Sequence, residues 1–276
     1  MLWHPRQACI WWTDIHACRL YRYDPADDKL TFWQTPERLT ALGFTEDDDQ
    51  LIVSFASGIA FYWPEQSRVQ WLARPEVDIT GNRFNDGRVS PAGHFWAGSL
   101  VEQDTGQQAA LYRYNGDNCQ RVLTGLQIVN GLCWSPDGRT GYYADSPTRK
   151  ITAYDHLPLT GELSNPRPFV QTPEGSFPDG ACVDARGNVW SAHWGGGCVV
   201  CYSPAGEIIE TLTLPVSQPT CVAFGGPDLN WLLVTSAREN LTPKAIDAEP
   251  MAGDLFIFDT TAVGLPPAIF PSGLVS

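Results

Sequence analysis

Asn85, Asn130 and Asp179 stand at comparable points of three sequence repeats, each near a glycine in an otherwise apolar stretch: TGNRFNDGRV from Thr80, QIVNGLCW from Gln127 and FPDGACV from Phe177. Side-chain oxygens from three separate segments are the ligands a hard cation takes, so their convergence would make a divalent-metal site. Asp179 adds an energetic reason. A carboxylate entering a buried strand needs a cation, a donor or water to offset its desolvation. An Asn or Asp before Gly is also ordinary turn chemistry, and for any single one of the three that reading stays open. Their recurrence at one point of a repeat favours the site.

Such convergence requires elements that aim at a common axis, and the chain supplies them. A turn followed by a short strand recurs six times, with strands opening at Ala8, Gln50, His94, Gly141, Asn188 and Asn230, which are 42 to 47 residues apart. A further strand follows each copy, near Arg19, Gly58, Ala110, Lys150, Cys198 and Asp254. Six repeats of this length, with about four short strands apiece, predict an all-β fold, a six-bladed β-propeller with a central channel occupying residues 1–276 as one domain. Composition agrees: 25 Gly, 22 Pro and 11 Trp with 43% hydrophobic residues favour tight turns and packed strands over helices. The innermost strand of each blade borders the channel, which is where the three oxygen-bearing residues fall.

The net charge of −13 repels nucleic acid and anionic membrane surfaces, leaving a cation or a neutral polar small molecule as the expected partner. No apolar run approaches the roughly 20 residues of a membrane span, and MLWHPRQ has no pattern of a secretory signal. Eight dispersed cysteines suggest the reducing cytoplasm. Cys198 and Cys201, three apart on a strand, point to opposite faces and are expected to be structural. No G-x-S-x-G elbow accompanies the five histidines, which disfavours a serine hydrolase. His193, at the end of a strand before Trp194 and three glycines, is the one histidine where a channel contact competes with the favoured reading of a satisfied structural residue.

Four stretches, taken in order, resemble the SMP-30/gluconolactonase/regucalcin-like sugar lactonases: RFNDGRVSPAGHFWAGSL from Arg83, NGLCWSPDGRTGYYADSPTRKITAYD from Asn130, PDGACVDARGNVWSAHWGGG from Pro178 and PTCVAFGGPDLNWLLVTSAR from Pro219. The resemblance implies a propeller with one divalent metal in its channel, held by Asn130 and Asp179 with Asn85 close by. It implies that Arg83 and Asn85 bind the lactone's oxygens and that Glu102 completes the pocket, Gln103 being the neighbouring alternative. The family's Gly-Glu-Gly-Pro-like segment, whose Glu is a metal ligand, has no counterpart before Trp3. That leaves the first blade expected to lack its innermost strand and the site one carboxylate short. Ca²⁺ is the expected metal, with Zn²⁺, Mg²⁺ or Mn²⁺ as alternatives. The implied activity is metal-assisted hydrolysis of a sugar lactone to its aldonic acid, with Asp179 or a metal-bound water as base. A non-catalytic cation-binding propeller and a hydrolase of another ester are the competing readings.

Overall fold

The computed structural model describes residues 1–274, and its strands form six small sheets around an axis, a six-bladed β-propeller. The innermost strands are Leu2–His4, Leu39–Thr45, Asn82–Val89, Val129–Trp134, Phe177–Val183 and Pro219–Gly225, here blades 1 to 6. Each runs from the channel mouth to the opposite face, turns and pairs antiparallel with the second strand of its blade. The turns at that opposite face carry the signals read from the sequence. In Asp184-Ala185-Arg186-Gly187-Asn188, the Asp184 carboxylate accepts from Arg186 N and Asn188 N, each at 2.9 Å.

Two expectations about strand content are corrected. Blade 1 does possess an innermost strand: Leu2, Trp3 and His4 pair with Trp11, Ile10 and Cys9, and all three are buried. The stretch is too short to show strand periodicity, but Trp3 packs edge-on against Trp231 of blade 6 at 5.7 Å and closes the ring. Blade 6 has three strands rather than four, ending at Leu255–Asp259. The C-terminal segment instead crosses the face opposite the mouth. Val263 O accepts from Ala185 N at 2.8 Å, Gly264 N donates to Leu229 O at 2.8 Å, and Ile269–Phe270 then pairs in parallel with Phe44 and Thr45 of blade 2.

The core lies between blades, where facing sheets interdigitate at interior density. Phe270, with no exposed surface, stacks on Tyr114 and meets Phe61, each at 5.9 Å. Trp96, Trp134 and His156 form the wedge between blades 3 and 4. All eight cysteines are free, and Cys201 is buried in the blade 5/6 core, in line with its expected structural role.

Candidate active site in the propeller channel

Inner strands of blades 2 to 6 break register with their neighbours close to the mouth, at Leu39/Ala41, Ala97/Ser99, Asn130/Cys133, Pro178/Ala181 and Pro219/Cys221. A β-bulge re-aims side chains that simple alternation would send elsewhere. It is at these bulges that polar residues enter the channel. In blade 4 the bulge includes Gly131 at φ +63°, and a Cβ there would stand 3.1 Å from the Asp179 carbonyl oxygen. Only glycine holds that conformation cheaply and lets blades 4 and 5 approach so closely.

The resulting cavity measures about 1320 Å³, and its wall includes Arg83, Asn85, Glu102, Asn130 and Asp179, every site residue expected from the sequence. Hydrogen bonds join most of them. Arg83 Nε donates to Glu102 Oε1 at 3.0 Å, and Arg83 Nη1 donates to Asn85 Oδ1 at 3.2 Å and to the Phe84 carbonyl at 3.0 Å. Asn85 Nδ2 then donates to Asn130 Oδ1 at 2.9 Å and Val129 O at 3.1 Å. Asn130 Nδ2 donates to Ser146 Oγ at 2.8 Å, whose hydroxyl donates to the Pro178 carbonyl at 2.6 Å, immediately before Asp179. One chain of contacts thus crosses three blades.

Electrostatics divides this wall in two. At the mouth, two guanidinium groups hold Glu102: Arg38, through Nη1 and Nη2 at 2.6 and 3.0 Å, and Arg83. Arg38 first, and Arg83 after it, draw the Glu102 carboxyl down to about 2, so it is ionised at any working pH. Burial works the other way on Arg83, only 7% exposed, and lowers its pKa. Deeper in, Asp179 accepts only from the Gly180 backbone N–H, at 2.9 Å, and has no ion pair among the described residues. Burial and then the nearby Asp86 push its pKa well above the ordinary carboxylate value. Asp86 accepts from Gly87 N at 2.8 Å and Leu132 N at 3.1 Å, and burial raises its pKa as well.

Asp86 and Arg38 are absent from the residues expected by sequence reasoning. For Asp86 a signal existed, since it immediately precedes Gly87 as Asn130 precedes Gly131 and Asp179 precedes Gly180. Two carboxylates, Asp86 and Asp179, therefore face the deep cavity, where the Arg88 guanidinium offsets the charge of Asp86 and leaves Asp179 uncompensated. No three His, Cys, Asp or Glu side chains converge as a metal cluster among the described residues. The deep donor set is instead mixed, two carboxylates with the Asn130 amide oxygen, all hard oxygen donors around a carboxylate with no cationic partner. That chemistry fits a divalent cation of the Ca²⁺ or Mg²⁺ kind.

His193 takes the structural role rather than the channel contact. It is 2% exposed, with Nδ1 3.0 Å from Ser176 Oγ and Nε2 3.2 Å from Tyr202 OH, and burial lowers its pKa to about 4. It is a neutral, satisfied residue inside blade 5. Its neighbour Trp194 faces the cavity, paired with Phe177 at 5.9 Å as an aromatic wall.

A six-bladed propeller whose channel gathers arginine, amide and carboxylate groups from successive inner strands defines a class of axial-pocket proteins. Within it, this chain belongs to the SMP-30/gluconolactonase/LRE-like family, whose model matches residues 1–238. It is 36% identical to the 6-deoxy-6-sulfogluconolactonase of Pseudomonas putida, over 96% of this chain and 90% of that one. It is also 36% identical to the L-arabinolactonase of Azospirillum brasilense, over 97% and 90%. Its fold superposes on the calcium-binding protein regucalcin of Agrobacterium tumefaciens with a TM-score of 0.92 and 30% identity, covering 98% of this chain and 92% of that structure.

Proposed function

We propose that this protein hydrolyses a sugar lactone to its aldonic acid in the channel, with a divalent cation, Ca²⁺ first among candidates, bound by Asp179 and Asn130 near Asn85. The observation that carries the reading is the contact chain from Glu102 through Arg83, Asn85 and Asn130 to the backbone before Asp179, which joins polar groups suited to a polyhydroxylated ligand to an unpaired deep carboxylate in one cavity. Lactonase relatives over nearly the full chain support it.

A cation held there supplies Lewis acidity to the lactone carbonyl and steadies the developing oxyanion. The chain's own residues do the rest. Arg83 has its Nη2 amino group without a protein partner among the described residues, and it donates to the lactone's ring and hydroxyl oxygens through a fixed planar fork. Glu102 accepts from a sugar hydroxyl. Asn85 keeps Arg83 and Asn130 in register and has one lone pair left for the substrate. Asp179, beside the cation, takes the proton of the attacking water. The eight free cysteines support a reducing, cytoplasmic setting.

The test is proton release from glucono-, galactono- and arabinono-lactones, with and without EDTA. Turnover on at least one of them, lost with EDTA and restored by Ca²⁺, Mg²⁺ or Mn²⁺, is the expected outcome. Tight Ca²⁺ binding without turnover on any of them would favour the non-catalytic cation-binding reading instead.

A further inference from the structure

Arg38 is outside the cavity wall, yet its guanidinium makes two of the three hydrogen bonds that reach the Glu102 carboxylate. Its backbone is fixed from two sides. Ala56, in the turn between the second and third strands of blade 2, donates its N–H to Arg38 O at 2.8 Å and accepts from Phe84 N at 3.0 Å. The preceding residue, Glu37, accepts from Ser57 N at 3.1 Å and from Ser57 Oγ at 2.7 Å. One turn therefore registers Arg38 of blade 2 against Arg83 and Phe84 of blade 3.

The lone pairs of Glu102 can be counted. A carboxylate has about four acceptor sites. Oε1 takes Arg38 Nη1 and Arg83 Nε, while Oε2 takes Arg38 Nη2 only. A single acceptor site, on Oε2, is left for a ligand, and Arg38 decides its direction because a bidentate fork fixes the plane of the carboxylate. Without Arg38 the group would be tied by one bond to Arg83 and could rotate about its terminal torsion. Near this acceptor is the Nη2 donor of Arg83, which has no partner among the described residues. The donor can serve any lactone's oxygens, but the acceptor has a partner only on a ligand that carries a hydroxyl.

Resting on the lactonase reading, we propose that Arg38 is a positioning residue that sets the enzyme's preference for hydroxylated lactones by orienting Glu102 toward a substrate hydroxyl. Glu102 keeps 36% of its side-chain surface exposed, so water takes the acceptor site when a ligand lacks the hydroxyl, and the discrimination is the surplus of an oriented charge-assisted hydrogen bond over that to water, about tenfold. The experiment compares kcat/KM for D-glucono-δ-lactone and δ-valerolactone in wild type, Arg38→Met, Arg38→Lys and Arg38→Met/Glu102→Gln, with thermal melts to confirm folding. In Arg38→Met the ratio of the two kcat/KM values falls about tenfold, chiefly through KM on gluconolactone. Arg38→Lys recovers part of the ratio, and adding Glu102→Gln to Arg38→Met costs little more, since the two residues act as one unit. An equal fractional loss on both lactones, or an unchanged ratio in a folded Arg38→Met protein, overturns the inference and leaves the lactonase reading standing. Wild type inert on glucono-, galactono- and arabinono-lactones alike removes that reading and the inference with it; if it turns over only one of the other two, that lactone replaces gluconolactone in the comparison.

Discussion

Asp179→Asn separates the energetics of the deep carboxylate from its chemistry. The amide is nearly isosteric and its oxygen can keep the 2.9 Å bond from Gly180 N, so the substitution removes mainly the charge. In the metal-free protein that charge is unfavourable: it is desolvated, opposed by Asp86 and without an ion-pair partner among the described residues. Its folded-state pKa lies above the unfolded value of 3.8, so the folded state binds the extra proton and wild-type stability falls as pH rises from about that value through the folded pKa. The variant lacks this slope. At pH 7.5 in EDTA, Asp179→Asn should be more stable by about 1–2 kcal/mol, discounted because one side of the carboxylate faces channel water. For a chain of this size that is an upward shift in Tm of about 2–4 °C. At pH 4 the difference should nearly vanish. Calcium should reverse the order, since a ligand at 100 times its Kd stabilises wild type by about 2.7 kcal/mol and the variant far less. Turnover should drop at least about a hundredfold. Differential scanning calorimetry with EDTA and with Ca²⁺, beside a lactone assay, measures each quantity. A variant that melts below wild type in EDTA at pH 7.5, or one that retains full turnover, refutes the assignment of Asp179 as the unpaired functional carboxylate.

Two further outcomes follow from neighbouring residues. His193→Phe leaves the Ser176 and Tyr202 hydroxyls without their partner and should cost about 2–4 kcal/mol in urea denaturation at pH 7.5 while the folded protein keeps its kcat, since the imidazole does not line the cavity. The folded His193 value of about 4 lies below the ordinary 6.5, so its contribution is complete above 6.5 and is lost as pH falls toward 4, a total of about 3 kcal/mol that the variant should not show. Gly131→Ala forces a left-handed residue against the Asp179 carbonyl, so it should cost about 1–2 kcal/mol and lower kcat/KM tenfold or more. Activity unchanged in that variant would show that the blade 4/5 spacing does not govern the site.

Much of this was legible in the chain because propeller blades are local. The turn Asp184-Ala185-Arg186-Gly187 and the strands beside it lie within one repeat, so the six-bladed ring and the convergence of Arg83, Glu102, Asn130 and Asp179 could be read from spacing and resemblance. What escaped depends on distant partners. Leu2–His4 is recognisable as a strand only through Cys9–Trp11 and Trp231, and Ile269–Phe270 joins a blade more than 200 residues away in parallel, leaving no periodic trace. Arg38 carries no motif; its role exists because Ala56 ties blade 2 to blade 3. For His193 position alone left a channel contact open beside the structural role, and only the hydroxyl groups of Ser176 and Tyr202, which claim both ring nitrogens, decide for the latter.

The C-terminal crossing also has a mechanical consequence. A closed ring of blades is weakest where its two ends meet, here between blade 1 and the three-stranded blade 6. The tail bypasses that seam from below, moored at Ala185 and Leu229 on one bank and at Phe44 and Thr45 on the other. Tension that would prise the ends apart is therefore shared with the buried anchor Phe270, and the arginine, amide and carboxylate groups of blades 3 to 5 are insulated from breathing at the joint.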